Sequence, residues 1–266
     1  MLVLSFHASG QGNLLVAPTR VVFEGNKQRQ ELNLVNMGKD TATYSISFIQ
    51  YNMKDDGSYL IIEKPDSGQM FADPYLRIFP RKVTLAPADS QVVMIQCRRT
   101  SDMDAGEYRS HVYFRSEHDY MPLGRKNSAA DTSKVSVQLI PVFGISIPVI
   151  IRIGTTNVKA GLSDLKLETL QDSIHYLNLT LQRKGNISLY GNLVVEYIPQ
   201  QGKSYEIGQV KGVKVYTNID KIHVSVKLNI TPGMVFKNAK LRVRFIDEDE
   251  TKNSDANVQS ELNLGQ

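Results

Sequence analysis

Apolar and polar residues alternate one by one along most of this 266-residue chain. In ATYSISFIQYN (42–52), Tyr44, Ile46 and Phe48 are separated by serines, so an extended segment has one dry face and one wet face. QELNLVNMG (30–38) sets Leu32 and Leu34 against polar neighbours and closes on Asn-Met-Gly, a turn signal. No stretch carries the 3.6-residue apolar period that a surface helix needs. A strand that is dry on one side must bury that side against something. With no helices to do the covering, the second layer has to be another sheet.

The same period marks strands at APTRVVFEG (17–25), DDGSYLIIE (55–63) and GEYRSHVYFRSE (106–117). LRIFPRKVTLAPADSQVVMIQCR (76–98) reads as two strands broken at the polar corner Ala86-Pro87-Ala88-Asp89. A polar loop runs from 117 to about Ser133. This gives about seven or eight strands in the first 150 residues, the count of a β-sandwich. After IRIGTTN (151–157) the pattern resumes in LKLETL, YLNLTLQRKG, LVVEYIP, GVKVYTNI, IHVSVKLNI and AKLRVRFIDE, with Gly, Asn and Pro between them. The sequence therefore predicts an all-β chain of two sandwich domains, 13–153 and 158–250, joined by a hinge at 154–157. The polar tail, 251–266, is expected to fray. Residues 1–12, MLVLSFHASGQG, read as the back half of a secretory signal peptide and are too short an apolar run to span a bilayer.

Composition narrows the function by exclusion. Hydrophobic residues make up 41% and charged residues 22%, which rules out a disordered chain. The net charge of +4 is not gathered into a basic face interleaved with aromatics, so no nucleic-acid partner is expected. The lysines of KGVKVYTNIDK (211–221) are spaced as on a solvated strand. The single cysteine, Cys97, excludes an intramolecular disulfide and falls on the side of Ile95, as a buried, inert thiol. The five histidines lack metal-ligand spacing: His111 and His223 lie within strands, and His118 sits in the loop sequence SEHD. There is no GxSxG elbow and no glycine-rich phosphate loop after a strand. The acidic runs Asp102–Asp104 and Asp247–Glu250 lack calcium-loop spacing and read as solvated. Neither enzyme activity, a cofactor, a metal nor a small-molecule substrate is expected.

One segment resists the general pattern. SVQLIPVFGISIPVIIR (136–152) is the longest strongly apolar run in the chain. Counting by two places Val137, Leu139, Pro141, Phe143, Ile145, Ile147, Val149 and Ile151 on one side. The other side carries Ser136, Gln138, Ile140, Val142, Gly144, Ser146, Pro148, Ile150 and Arg152. Its prolines deny donors to a ladder and suit an edge or a crossing between sheets. An apolar edge left open is a docking site for another chain's strand. The alternative is a long core strand that closes the first domain.

In their order and spacing, APTRVVFEG, LNLVNMG, LRIFPRKVTLAP, GEYRSHVYF and the long apolar strand ending in Arg152 resemble the periplasmic chaperones of the chaperone–usher pathway, which assemble surface pili. The resemblance spans about 13–153 and is weaker in the second domain. It implies two immunoglobulin-like domains set as an L or boomerang in the periplasm, with pilin-like subunits and an outer-membrane usher as partners. It also implies a donor strand whose side chains fill a subunit's open groove; here these match Val137, Leu139, Pro141 and Phe143. The subunit's terminal carboxylate would be anchored by Arg20, with Arg152 or Lys134 assisting, because Pro148 stands where the family places a lysine. The family's domain-orienting ion cluster maps onto Glu107, Arg109 and Arg152, with Arg109 where an acidic residue is usual. A structural or adhesive surface sandwich is the competing reading. An usher-like barrel and small pilin-like proteins encoded in neighbouring genes would decide for the chaperone.

Overall fold

A computed structural model describes residues 13–117, 142–170, 174–231, 233–236, 238–249 and 256–265. In chain order its strands begin β1 Leu14–Ala17, β2 Val21–Phe23, β3 Arg29–Asn36, β4 Ala42–Ile49, β5 Tyr51–Met53, β6 Tyr59–Ile61, β7 Leu76–Phe79, β8 Lys82–Leu85 and β9 Ser90–Cys97. They continue β10 Gly106–Glu117, β11 Gly144–Ile153, β12 Val158–Leu170, β13 Ile174–Gly185, β14 Leu189–Ile198, β15 Tyr205–Val215, β16 Lys221–Leu228, β17 Ala239–Asp247 and β18 Val258–Leu264. Helical structure among the described residues is confined to a 3-10 turn, Asp73–Tyr75, and the single 3-10 residue Ala256. None of them forms a helix long and apolar enough to cross a membrane.

The chain divides into two compact units. The first runs to Ile49 and takes in Ala72–Arg99 and Ser110–Ile150; the second comprises Gln50–Phe71, Thr100–Arg109 and Ile151 onward. Both β-sandwiches expected from the alternation are present. In the first, a sheet ordered β1-β3-β9-β7 faces one ordered β2-β11-β10-β4-β8. Leu32, Leu34, Val93 and Ile95 from one layer and Ile46, Val112, Phe114 and Val149 from the other are buried between them. Cys97 continues the Val93–Ile95 row and is buried, and that burial pushes its thiol pKa up. In the second, β12-β13-β16 faces β15-β14-β17-β18, around Leu177, Leu181, Leu193, Val195, Val226, Val243 and Phe245. The short hairpin β5-β6 belongs to this unit, and Met53 packs into its core.

Three segments depart from the sequence reading. LRIFPRKVTL is split at Pro80: β7 pairs with β9, whereas β8 pairs with β4 in the other sheet. A residue without a ladder donor marks the crossing, so 76–98 holds three strands rather than two. APTRVVFEG likewise holds the end of β1 and then β2, on opposite sheets. The tail expected to fray instead carries β18, paired with β17 from Ala239↔Leu264 to Phe245↔Val258. Its alternating exposure, with Leu264 turned inward, is that of an edge strand whose outer row is polar.

The turn signals of the sequence meet at Asn36, which is fully buried. Its Nδ2 shares two hydrogens among the carbonyls of Asp40 (2.8 Å), Leu85 (3.0 Å) and Ala86 (3.2 Å), and its Oδ1 accepts from the Gly38 N–H at 2.9 Å. Its backbone N–H donates to the Asp89 carbonyl and its carbonyl accepts from Ala88 N–H. Asn-Met-Gly and Ala-Pro-Ala-Asp therefore close one joint between the sheets. Asn36→Ala strands several buried carbonyls at once and is expected to lower unfolding free energy by about 2–4 kcal/mol. Asn33→Ala, exposed on the same strand, should stay within about 0.5 kcal/mol in the same urea titration.

Candidate functional site

Exposure along β11 changes sharply from one end to the other. From Ile147 to Arg152 all but Pro148 are buried, on both faces, and β11 lies inside its sheet between β2 and β10. Towards its start cover runs out. β2 contributes only three residues beside the ten of β11. Phe143 is 39% exposed and Val142 50% exposed. Phe143 is nevertheless held extended: its N–H donates to Ser116 Oγ at 3.1 Å, and its carbonyl accepts from Ser116 N–H at 2.9 Å. Glycine comes next in the chain. A Cβ on Gly144 would stand 2.3 Å from the Tyr113 hydroxyl, so any other residue there would have to push that ring aside.

Beneath this segment a cavity of about 180 Å³ opens at the end of the first sandwich, lined by Leu14, Tyr44, Phe114, Phe143 and Ile145 with Glu117 at its rim. Burial pushes the Tyr44 hydroxyl pKa up. The row of Ile147, Val149 and Ile151 turns into the core, and counting back by two reaches Ile145 and Phe143 on the same side. Val137, Leu139 and Pro141, expected to continue that row, lie outside the described residues, as do Lys134 and His118. Arg20, half-buried, immediately precedes β2, the strand beside β11.

In the second unit Glu107, Arg109 and Arg152 lie together. Glu107 is 1% exposed and saturated with donors. Its Oε1 takes a bond from Arg109 at 2.6 Å. Its Oε2 takes the Ser188 hydroxyl at 2.9 Å and N–H at 3.2 Å, and stands 3.5 Å from Arg152. Arg109 also donates to Ser188 Oγ at 2.6 Å and lies 3.9 Å over the Tyr216 ring. Arg152 is bound by a carboxylate that the sequence reading passed over. Asp249 accepts from both terminal nitrogens of its guanidinium, through Oδ1 at 3.1 Å and through Oδ2. The side chains of Arg152 and Asp249 are 1% and 4% exposed, so Asp249 is not the solvated residue expected in the Asp247–Glu250 run. The signal was available. Ala239, Leu241, Val243 and Phe245 form the inward row of β17, and continuing by two passes Asp247 and reaches Asp249. To serve as a carboxylate anchor, Arg152 would have to leave two internal carboxylates.

Among the described residues no group of three or more His, Cys, Asp or Glu could hold a metal ion. No protein-family model matches the chain, and no curated protein matches it by sequence. Solved structures similar to this one include the YadV chaperone, at 13% identity and TM-score 0.44 over 95% of this chain and 100% of that one. A chain of the Salmonella enterica SafA pilin–SafB chaperone complex is similar at 14% identity and TM-score 0.42, over 97% of this chain and 99% of that one. A chain of the Acinetobacter baumannii CsuC–CsuE chaperone–tip adhesion subunit complex is similar at 14% and 0.42, over 93% and 97%.

Removing one member of a buried ion pair leaves the other charged and dry. Asp249→Ala is expected to destabilise the protein by about 3–5 kcal/mol for that reason. Asp102→Ala, at an exposed site, should change stability by about 0.5 kcal/mol or less. Chemical denaturation of the two variants side by side checks the contrast.

Proposed function

We propose that the chain is a non-enzymatic periplasmic chaperone that captures pilin-like subunits by lending them a β-strand and hands them to an outer-membrane usher. The observation that carries the reading is Phe143, whose backbone is fixed to β10 while the residue stays 39% exposed. A strand held extended with large apolar side chains on display is prepared to join another sheet at little further cost in ordering. The apolar row Val137, Leu139, Pro141 and Phe143 would fill the groove of a sandwich that lacks a strand. Arg20, beside β2, would hold the subunit's terminal carboxylate through two parallel charge-assisted bonds. With Pro148 unable to assist and Arg152 engaged by Asp249, Arg20 carries this contact in the proposed complex.

The test uses a pilin-like subunit encoded beside the chain, co-expressed with it. Phe143→Glu is expected to abolish the one-to-one complex, because a carboxylate would enter an apolar groove at a cost of several kcal/mol. Its circular dichroism and melting should match wild type; an unfolded variant would assign Phe143 to the core and overturn the donor-strand reading. Arg20→Ala is expected to weaken capture well over tenfold, since losing a buried bond to a charged group costs about 2–5 kcal/mol. Arg20→Lys should restore part of it, a point charge replacing a planar fork. Equal affinity of all three forms would remove the carboxylate anchor. A chain that binds no such subunit would favour the structural or adhesive surface protein.

A further inference from the structure

The hairpin β5-β6 ends in an edge of unusual character. Tyr59, Leu60 and Ile61, the whole of β6, are all exposed, at 38%, 48% and 69%. Among the described residues, β5 is the one strand that β6 pairs with. The hairpin is nevertheless firmly mounted on the second unit. Asn218 donates to the Met53 carbonyl at 2.8 Å, and the Tyr59 ring lies 5.7 Å from those of both Tyr51 and Tyr216. Exposed apolar edges invite pairing with another strand, and proteins that do not use them usually place charge or proline there. No such residue interrupts Tyr59-Leu60-Ile61-Ile62.

The ladder decides which groups face outward. Ile62 N–H donates to the Gln50 carbonyl at 3.1 Å, and Lys54 N–H to the Ser58 carbonyl at 2.9 Å. Hydrogen-bonded and non-bonded pairs alternate in an antiparallel ladder, so Ser58, Leu60 and Ile62 turn their backbone groups to β5. Tyr59 and Ile61 turn theirs outward. A second copy of this edge, laid antiparallel about a two-fold axis at Leu60, sets Tyr59 opposite Ile61 in both directions. All four outward groups of each strand are then satisfied, and an aromatic residue packs on a β-branched one. Charge selects this register over its neighbours. With the axis at Leu60, the Asp55-Asp56 turn of one copy meets Lys64 of the other. Moving the axis to Tyr59 slides that acidic turn onto Glu63, and moving it to Ile61 slides it onto Asp66.

We propose that β6 is a self-association edge, through which two copies of the chain pair antiparallel about Leu60. This inference is independent of the strand-donation reading, since it uses a different edge in the other unit. The contact is small, so the dimer is a weak one that forms with rising concentration. Cysteine scanning of the full-length protein tests it. In this register two Leu60 residues form the non-bonded pair on the axis, with Cα atoms about 4.5 Å apart, within disulfide range. Leu60→Cys is expected to give a disulfide-linked dimer under mild oxidation. Ile61→Cys, one residue from the axis, should give roughly tenfold less, because its equivalents lie diagonal to each other. Wild type, whose Cys97 is buried, serves as the background. Lys64→Glu should shift the wild-type sedimentation profile towards monomer. Cross-linking as strong at Ile61 as at Leu60, or a monomer throughout in both assays with the native circular dichroism retained, overturns the proposal.

Discussion

Every sheet in this protein needs a second sheet to cover its apolar row, and β11 runs out of cover before it runs out of apolar residues. From Ile147 to Arg152 its residues, apart from Pro148, are buried, at a position between β2 and β10 where large aliphatic side chains are the stable choice. Just before β11, Phe143 keeps the neighbour β10, yet Val142 and Phe143 are 50% and 39% exposed. Gly144 lets the backbone pass over Tyr113, and Ser116 fixes Phe143 in line. The strand thus changes from core to surface without changing direction, and the proposed activity follows from that change.

The buried charges of the second unit answer to a different constraint. Three ionised groups at 0–4% side-chain exposure would be prohibitively costly apart, and here each is offset by an opposite charge and by hydrogen bonds from or to its neighbours. Glu107 is the hub, since it accepts from Arg109 and from both donors of Ser188 and pairs with the charge of Arg152. Such a network tolerates little displacement, because every member has a single geometry that satisfies it. Arg183 follows the same rule elsewhere in the unit. Its buried guanidinium lies within 3.2 Å of the carbonyls of Gly185, Ile187, Thr217 and Ile219 and so ties two turns together.

The alternation that declared the fold was legible wherever one face of a strand is wet, as in β4, β9 and β16. It faltered where short-range pattern and tertiary setting disagree. Pro80 stands between strands that pair in different sheets, and nothing local separates that from a proline at a strand edge. The polar tail was misjudged because an edge strand needs only one apolar row, and in β18 Leu264 is its one fully buried member. For the site, the group of Glu107, Arg109 and Arg152 was reachable through family resemblance. Asp249 was hidden inside an acidic run, although the alternation of β17, carried past its end, reaches it. Ser188 carries no sequence signal at all: a serine after Asn-Ile in a turn looks like any other until the fold brings Glu107 to it.

The central claim is that the exposed start of β11 becomes the shared strand of a complex. Val142 and Gly144 alternate with Phe143 and therefore turn their amides away from β10, towards the side a guest strand would occupy. Amide hydrogen exchange, followed residue by residue with and without a pilin-like subunit bound, reads this directly. The account predicts that Val142 and Gly144 exchange quickly in the free protein and become strongly protected in the complex, while the Phe143 amide changes little. Protection elsewhere, with these two amides exchanging as fast in the complex as in the free chain, would contradict it.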